Sequence, residues 1–288
     1  MSAHKKTFPY LLLAPALILI IAVSIYPLFY LFTSSFYDFV LIRQAEKTFV
    51  GLGNYWKLIS NRDFWYSFFI TLEYVVASTV ITFLLGLGMA LILNKNLPLT
   101  KLFRSIYLLP MVATPVIVAL TWRNIWNYHY GIVNFFLGKL GIAPLLWLAK
   151  TELALISIII TDVWQWTPFV IIVLGAGLAA VPAELYDAAK VDGCSAWQGF
   201  WHITFPSIQA VVGLTLVIRI MDLFRNADLV YVITAGGPGI ATEVLAYSVF
   251  KKAFVSFQIG EAAALSFILV IISTVVVSTL IKRFEIHI

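Results

Sequence analysis

Charge is what this chain lacks most. Asp, Glu, Lys and Arg make up 11% of its 288 residues, against about 25% in a soluble domain. That leaves too few ionic groups to clothe a water-facing surface, which excludes a soluble enzyme and a disordered chain. One cysteine, Cys194, excludes an internal disulfide framework. The four histidines (His4, His129, His202 and His287) share no spacing with Cys or carboxylates that would make a metal site. No Ser–His–Asp or paired-carboxylate arrangement stands out, so nothing supports an active site. The phosphate-loop pattern G-x-x-x-x-G-K-[ST] is absent as well. Low-complexity tracts and 20–50-residue repeats are also missing.

Apolar sequence fills the gap. Apolar residues reach 61% and the mean hydropathy is +0.96. A spanning helix needs roughly 20 mostly apolar residues. Six runs meet that need, at 8–36, 67–93, 106–126, 153–180, 208–232 and 258–281. They are continuously apolar rather than alternating with period two, so helices are expected and barrel strands are not. The reading is an all-α polytopic membrane protein, residues 1–288 forming a single membrane domain with six transmembrane helices. The first run follows Lys5 and Lys6 but is about twice a typical signal core. It is read as a retained span.

The formal charge of +5 would suggest nucleic acid in a soluble protein. Here the cations fall singly or in pairs at the ends of apolar runs, where heads reach the interface and stems stay in lipid. The lipid bilayer is the expected partner and nucleic acid is not. Lys5, Lys6, Lys95, Lys101 and Arg104 stand without nearby acids, which favours both termini in the cytoplasm. Residues 37–66, 127–152 and 233–257 would then face outward, and 94–105 and 181–207 inward. The first outward segment carries Phe49, Tyr55, Trp56, Phe64, Trp65 and Tyr66, as interfacial helices do.

The inward loop 181–207 differs from the others. Pro182 suits a first helical turn, and Glu184 suits the positive end of that helix. Leu185, Ala188, Ala189 and the stem of Lys190 would share a surface. Asp192-Gly193 signals a turn with Gly left-handed. A second short helix over 195–201 would align Trp197, Phe200 and Trp201, and Pro206 would open the fifth span. One reading is an ordinary amphipathic connector at the interface. The other is a docking surface, because small residues flanked by acids suit close approach of another protein.

Ionisable groups inside spans are costly and usually face an interior or a water path. The fifth span holds Arg219, Asp222, Arg225, Asn226 and Asp228 at i, i+3 and i, i+4 spacings, which gives one polar stripe. It could line a solute path, with Arg clamping an oxygen-rich or anionic group, or form ion pairs that orient the helix. In the fourth span, Asp162, Trp164, Gln165, Trp166 and Thr167 offer hydrogen bonds and aromatic faces of the kind sugars use. They could equally form an aromatic packing layer. Pro168 is expected to kink that span. Glu73 and Glu261 read as interfacial acids near span ends. Gly86-Leu87-Gly88 with Ala90, and Gly175-Ala176-Gly177 with Ala179, read as helix-contact surfaces.

The spacing Asp187-Ala188-Ala189, three residues, Gly193, nine residues, Ile203, then Phe205-Pro206 resembles the EAA loop of bacterial ABC importer permeases. Leu185-Tyr186 and Trp197-Gln198-Gly199-Phe200 around it are similar to the sugar-uptake branch, of the maltose and glycerol-phosphate permease type. So are Thr234-Ala235-Gly236-Gly237-Pro238-Gly239 with Thr242, Ala253-Phe254, and Leu109-Pro110. Asp187 stands where that family usually has Glu, one methylene longer.

This resemblance implies a type I ABC importer permease fold and a transport subunit that is not itself an enzyme. Loop 181–207 would be the coupling loop seated in a cleft of a separate ATPase, with Glu184, Asp187, Ala188, Ala189 and Gly193 at the contact. ATP and Mg would be held by that ATPase, with no cofactor in this chain. The implied assembly pairs this permease with a second, different one, two ATPase subunits, and a periplasmic or lipid-anchored solute-binding protein at the inner membrane. Alternating access would pass a sugar or sugar derivative along Arg219, Asp222, Asn226, Asp162, Trp164 and Gln165, and the arginines hint at an anionic one. The alternative is a self-contained secondary transporter or channel, which usually shows inverted repeats; none is found in the sequence.

Overall fold

The computed structural model describes residues 4–42, 47–94 and 100–284. Lys95 and His287 lie outside the described residues, as do the side chains of Lys5, Lys6, Lys101 and Arg104. In chain order, α1 (His4–Ile20) continues through a π turn (Ile21–Ile25) into α2 (Tyr26–Ser34). Strands β1 (Tyr37–Asp38) and β2 (Thr48–Phe49) pair antiparallel, Tyr37 opposite Phe49. Helices α3 (Gly53–Ile59), α4 (Arg62–Leu93), α5 (Thr100–Val112), α6 (Pro115–Ile125), α7 (Ile132–Lys139) and α8 (Thr151–Ala179) follow. Then come α9 (Ala183–Val191), α10 (Ala196–Gly199), a π turn (Phe200–Thr204), α11 (Phe205–Arg225) and α12 (Asp228–Ile233). The chain ends with α13 (Leu245–Phe250), a π turn (Lys251–Val255) and α14 (Ile259–Arg283).

Among the described residues, five helical stretches are long and apolar enough to cross a membrane, or six if the bent α5–α6 pair counts as one. The architecture is helical, as the continuous apolar runs require. Two runs differ in detail from the sequence reading. The third is broken, with its two halves meeting at 109°. Pro115 drives Thr114 out of the helical region, to φ −65° and ψ 144°. The fifth run stops at Arg225, where Asn226 turns extended (ψ 96°), so the polar residues beyond it leave the span. The fourth passes Pro168 as one uninterrupted helix.

Contacts divide the chain into two compact units. In the first (Met1–Arg62 with Val249–Ile268), buried Asn54 donates to the carbonyls of Ser35 at 2.8 Å and Tyr37 at 2.9 Å. Glu261, expected as a lone interfacial acid, is instead clasped between Lys57 and Lys252, the latter at 2.7 Å.

The second unit (Asp63–Ser248 with Leu269–Ile288) is built on α4, α8 and α11. Ala90, Val170, Leu174, Leu178, Ile208 and Val212 form its buried apolar cluster. Tyr74 meets Asp162, and twelve residues on Gly86 meets Val170, so α4 and α8 run in the same direction. Arg219 meets Asp162 while Val211 meets Gly177, so α11 runs against them. A Cβ on Gly86 would fall 2.5 Å from Val170 Cγ1, and only glycine permits that approach. In the connection between α7 and α8, buried Asn134 accepts from Leu145 N and Trp147 Nε1, both at 3.0 Å, and fixes the segment without regular structure.

Candidate functional site

Two clusters of the second unit gather the residues singled out by sequence. The first is the connector between α8 and α11. Helix α9 starts after Pro182 with Glu184 in its first turn, and Gly193 closes it in the left-handed region at φ +74°. Nothing lies within 4 Å of where a Gly193 Cβ would be, so the glycine answers to backbone conformation rather than crowding. Ser195 then caps α10 in a reciprocal box with Gln198, its backbone N donating to Gln198 Oε1 at 2.8 Å.

The expected second helix is not separate from the fifth span. Helix α10 passes through the π turn into α11 without a break, so Ala196–Arg225 is one helical stretch. Trp197, Phe200 and Trp201 still pack together, with centroids 5.1–6.3 Å apart. Tyr186 Oη and Thr204 Oγ1, 3.1 Å apart, tie α9 to this stretch. Glu184, Asp187, Ala188 and Gly193 are exposed and Ala189 is half-buried. Asp187 pairs with Lys190 at 2.9 Å on the open surface, where such a pair contributes little. Beside them runs a groove of about 1130 Å³, lined by Asp187, Ala189, Lys190, Cys194, Trp197 and Phe200 among others.

The second cluster lies where α4, α8 and α11 meet. Arg219, 2% exposed, donates from Nη2 to Asp162 Oδ2 at 2.6 Å and from Nη1 to Asp222 Oδ2 at 3.2 Å. Its guanidinium also lies 5.3 Å from the Trp166 ring centre. Tyr74 Oη donates to Asp162 Oδ1 at 3.3 Å and accepts from Asn226 Nδ2 at 3.1 Å. The cation is therefore held by two carboxylates and an aromatic face, while its Nε is buried without a hydrogen-bond partner among the described residues. Asp222 is 29% exposed and faces Arg225, which is 80% exposed, across 4.0 Å.

Arg219, Asp222, Asn226 and Asp162 thus come together. Trp164 and Gln165 do not join them. Trp164 lies two residues, or about 200°, around the helix from Asp162, and sits exposed beside Trp122. Gln165 instead donates from Nε2 to the carbonyl of Ala113 at 3.3 Å, in the break between α5 and α6. A freed carbonyl inside a membrane needs such a partner. Tyr74 was missed: a lone Tyr in an apolar run gives no sequence signal until its cross-helix partner is known.

Taken together, the broken helix sealed by a neighbouring Gln, the ion network buried in a helix bundle and the exposed connector define a multi-pass helical membrane protein. Residues 82–285 match the family described as the binding-protein-dependent transport system inner membrane component, and the chain belongs to that family. It is 39% identical over 272 residues to the trehalose/maltose transport system permease protein MalF of Thermococcus litoralis, covering 93% of this chain and 91% of that one. It is 32% identical to the trehalose transport system permease protein SugA of Mycobacterium tuberculosis, covering 97% and 89%. Its fold matches a bacterial ABC transporter involved in import of the acidic polysaccharide alginate, with a TM-score of 0.85, 22% identity, and 98% and 96% of the two chains covered. A second structure of a bacterial alginate ABC transporter, in complex with an alginate pentasaccharide-bound periplasmic protein, matches with a TM-score of 0.85 at 21% identity.

Proposed function

We propose that this chain is one of two different membrane subunits of a sugar importer, driven by a separate pair of ATPases and supplied by an external solute-binding protein. The observation that carries the reading is the exposed connector Ala183–Gly199 with its groove. It presents acids and small residues, stiffened by the capping box and the Tyr186–Thr204 contact, and it continues into a span. In this reading the connector faces the cytoplasm, as do both termini, and Glu184, Asp187, Ala188, Ala189 and Gly193 meet the ATPase. ATP and Mg belong to that partner. The names of the relatives, trehalose/maltose and trehalose permeases, support a sugar as the solute.

Alternating access would then move the solute past the partly exposed rim of the ion network, at Asp222 and Asn226. Arg219 is engaged on two sides and buried, so it orients the rim rather than clamping an anion. Neutral hydroxyl-rich solutes suit that arrangement better than the anionic derivative the sequence hinted at. Gly193→Val tests the coupling assignment. A β-branched residue at φ +74° costs about 1–3 kcal/mol of local strain. The reconstituted complex is expected to keep its spans and its ATPase activity while losing uptake per ATP hydrolysed. Uptake per ATP equal to that of the wild type would overturn the assignment.

A further inference from the structure

Glu73 has no place in either cluster. It sits on α4, next to Tyr74 in sequence, but its side chain is exposed and makes no hydrogen bond or ion pair among the described residues. Trp65 and Tyr66 mark the interfacial belt at the start of α4. At 1.5 Å per residue, Glu73 lies about 10 Å farther along the helix than Tyr66, beyond the reach of so short a side chain. Helical spacing places it on a stripe with Phe69, Val76, Val80 and Leu84, all exposed. Ala77 and Gly88 share that side, and a Cβ added to Gly88 would meet nothing within 4 Å. The stripe is thus an apolar face with small residues and one carboxylate in its upper third.

Lipid tails cannot solvate that carboxylate, and a face otherwise built of Phe, Val and Leu is no lining for a water path. We propose that this stripe is the surface on which the second permease subunit packs, and that the partner brings a cation or hydrogen-bond donor opposite Glu73. Ala77 and Gly88 allow the close approach that helix pairs in membranes use. The charge also selects the partner. A second copy of this chain, related by a twofold axis through the same face, would set Glu73 against Glu73, a like-charge contact that disfavours self-association. A different subunit with a complementary group avoids that repulsion. The inference rests on the importer reading above and adds to it a specific interface.

A photo-crosslinking residue at Val80, on the same stripe, tests it in the complex purified from membranes. The expected product joins this chain to the second permease subunit. Glu73→Ala should lower recovery of that subunit about tenfold or more at limiting concentration, as truncating one partner of a buried charge pair does. Glu73→Asp should retain it, and Glu73→Lys should abolish it. In an intact complex, labelling of lipid alone, or an adduct between two copies of this chain, overturns the proposal. So does undiminished recovery with Glu73→Lys. If the wild-type chain brings down no second permease at all, the importer reading fails first, a result distinct from a mislabelled face.

Discussion

Separating Asp162 from Arg219 should be among the most damaging changes available to this chain, and the two directions should not be equal. The pair is 0% and 2% exposed with 2.6 Å between Oδ2 and Nη2, so removing one partner strands a charge in a dry site. Such losses run to about 3–5 kcal/mol. Asp162→Asn leaves Arg219 with Asp222 at 3.2 Å and the Trp166 face, so the guanidinium keeps an anion. Arg219→Gln leaves two carboxylates, one fully buried and one 29% exposed, facing each other with no cation between them. The arginine variant should therefore sit at or above the upper end of that range, and the aspartate variant near the lower end. Thermal unfolding of the purified complex reads this as a drop on the order of 10 °C for Arg219→Gln. Carrying both changes removes both charges of the pair, and about 0.5–3 kcal/mol of the summed loss should return. Two outcomes would refute the reasoning: Asp162→Asn more harmful than Arg219→Gln, or single effects that simply add. Either would mean that the network's charges are not mutually compensated.

Three further outcomes follow from the same geometry. Tyr74→Phe removes the hydroxyl that donates to Asp162 and accepts from Asn226; about 1–2 kcal/mol should be lost, seen as a lower melting temperature with helicity intact. Gly86→Ala puts a Cβ 2.5 Å from Val170 Cγ1 and should cost about 1–3 kcal/mol by the same measurement. Ser195→Ala breaks the capping box and should cost about 1 kcal/mol, raising proteolytic cleavage in the connector ahead of any cleavage in the spans.

What the sequence made legible tracks physical range. Spans were readable because hydropathy acts locally over some 20 residues, and the Gly193 turn because a left-handed backbone at the end of a helix selects glycine by itself. The Arg219–Asp222 pair on α11 was readable too, since i, i+3 spacing is a property of one helix, but the expected stripe breaks where α11 ends and leaves Asn226 and Asp228 outside it. The partner of each polar residue was not. Gln165 and Asp162 lie three residues apart, yet one answers a broken helix at Ala113 and the other answers Arg219. Trp164 between them points elsewhere. Only packing between helices, a contact across 57 residues in the Asp162–Arg219 case, decides such assignments. The 109° break was half-written in sequence: Pro110 and Pro115 are visible, but a proline inside α8 leaves that helix uninterrupted, so proline alone does not predict a break.

The helix interruptions bear on how a push at the connector would travel. From Ala196 to Arg225 the backbone stays helical for 30 residues, about 45 Å. One end carries the aromatic cluster and the capping box, and the other carries Arg219 and Asp222 just before the extended Asn226. A helix resists bending far more than it resists rigid tilting, so force on α9, passed through the Tyr186–Thr204 contact, would move the far end as one body. The first point of give beyond it is Asn226, whose side chain reaches back to Tyr74 on α4. Tilting α11 would therefore strain the Asn226–Tyr74 and Arg219–Asp162 contacts together rather than one after the other. Because its members share partners, a partial release would leave a buried charge, which is the costly geometry.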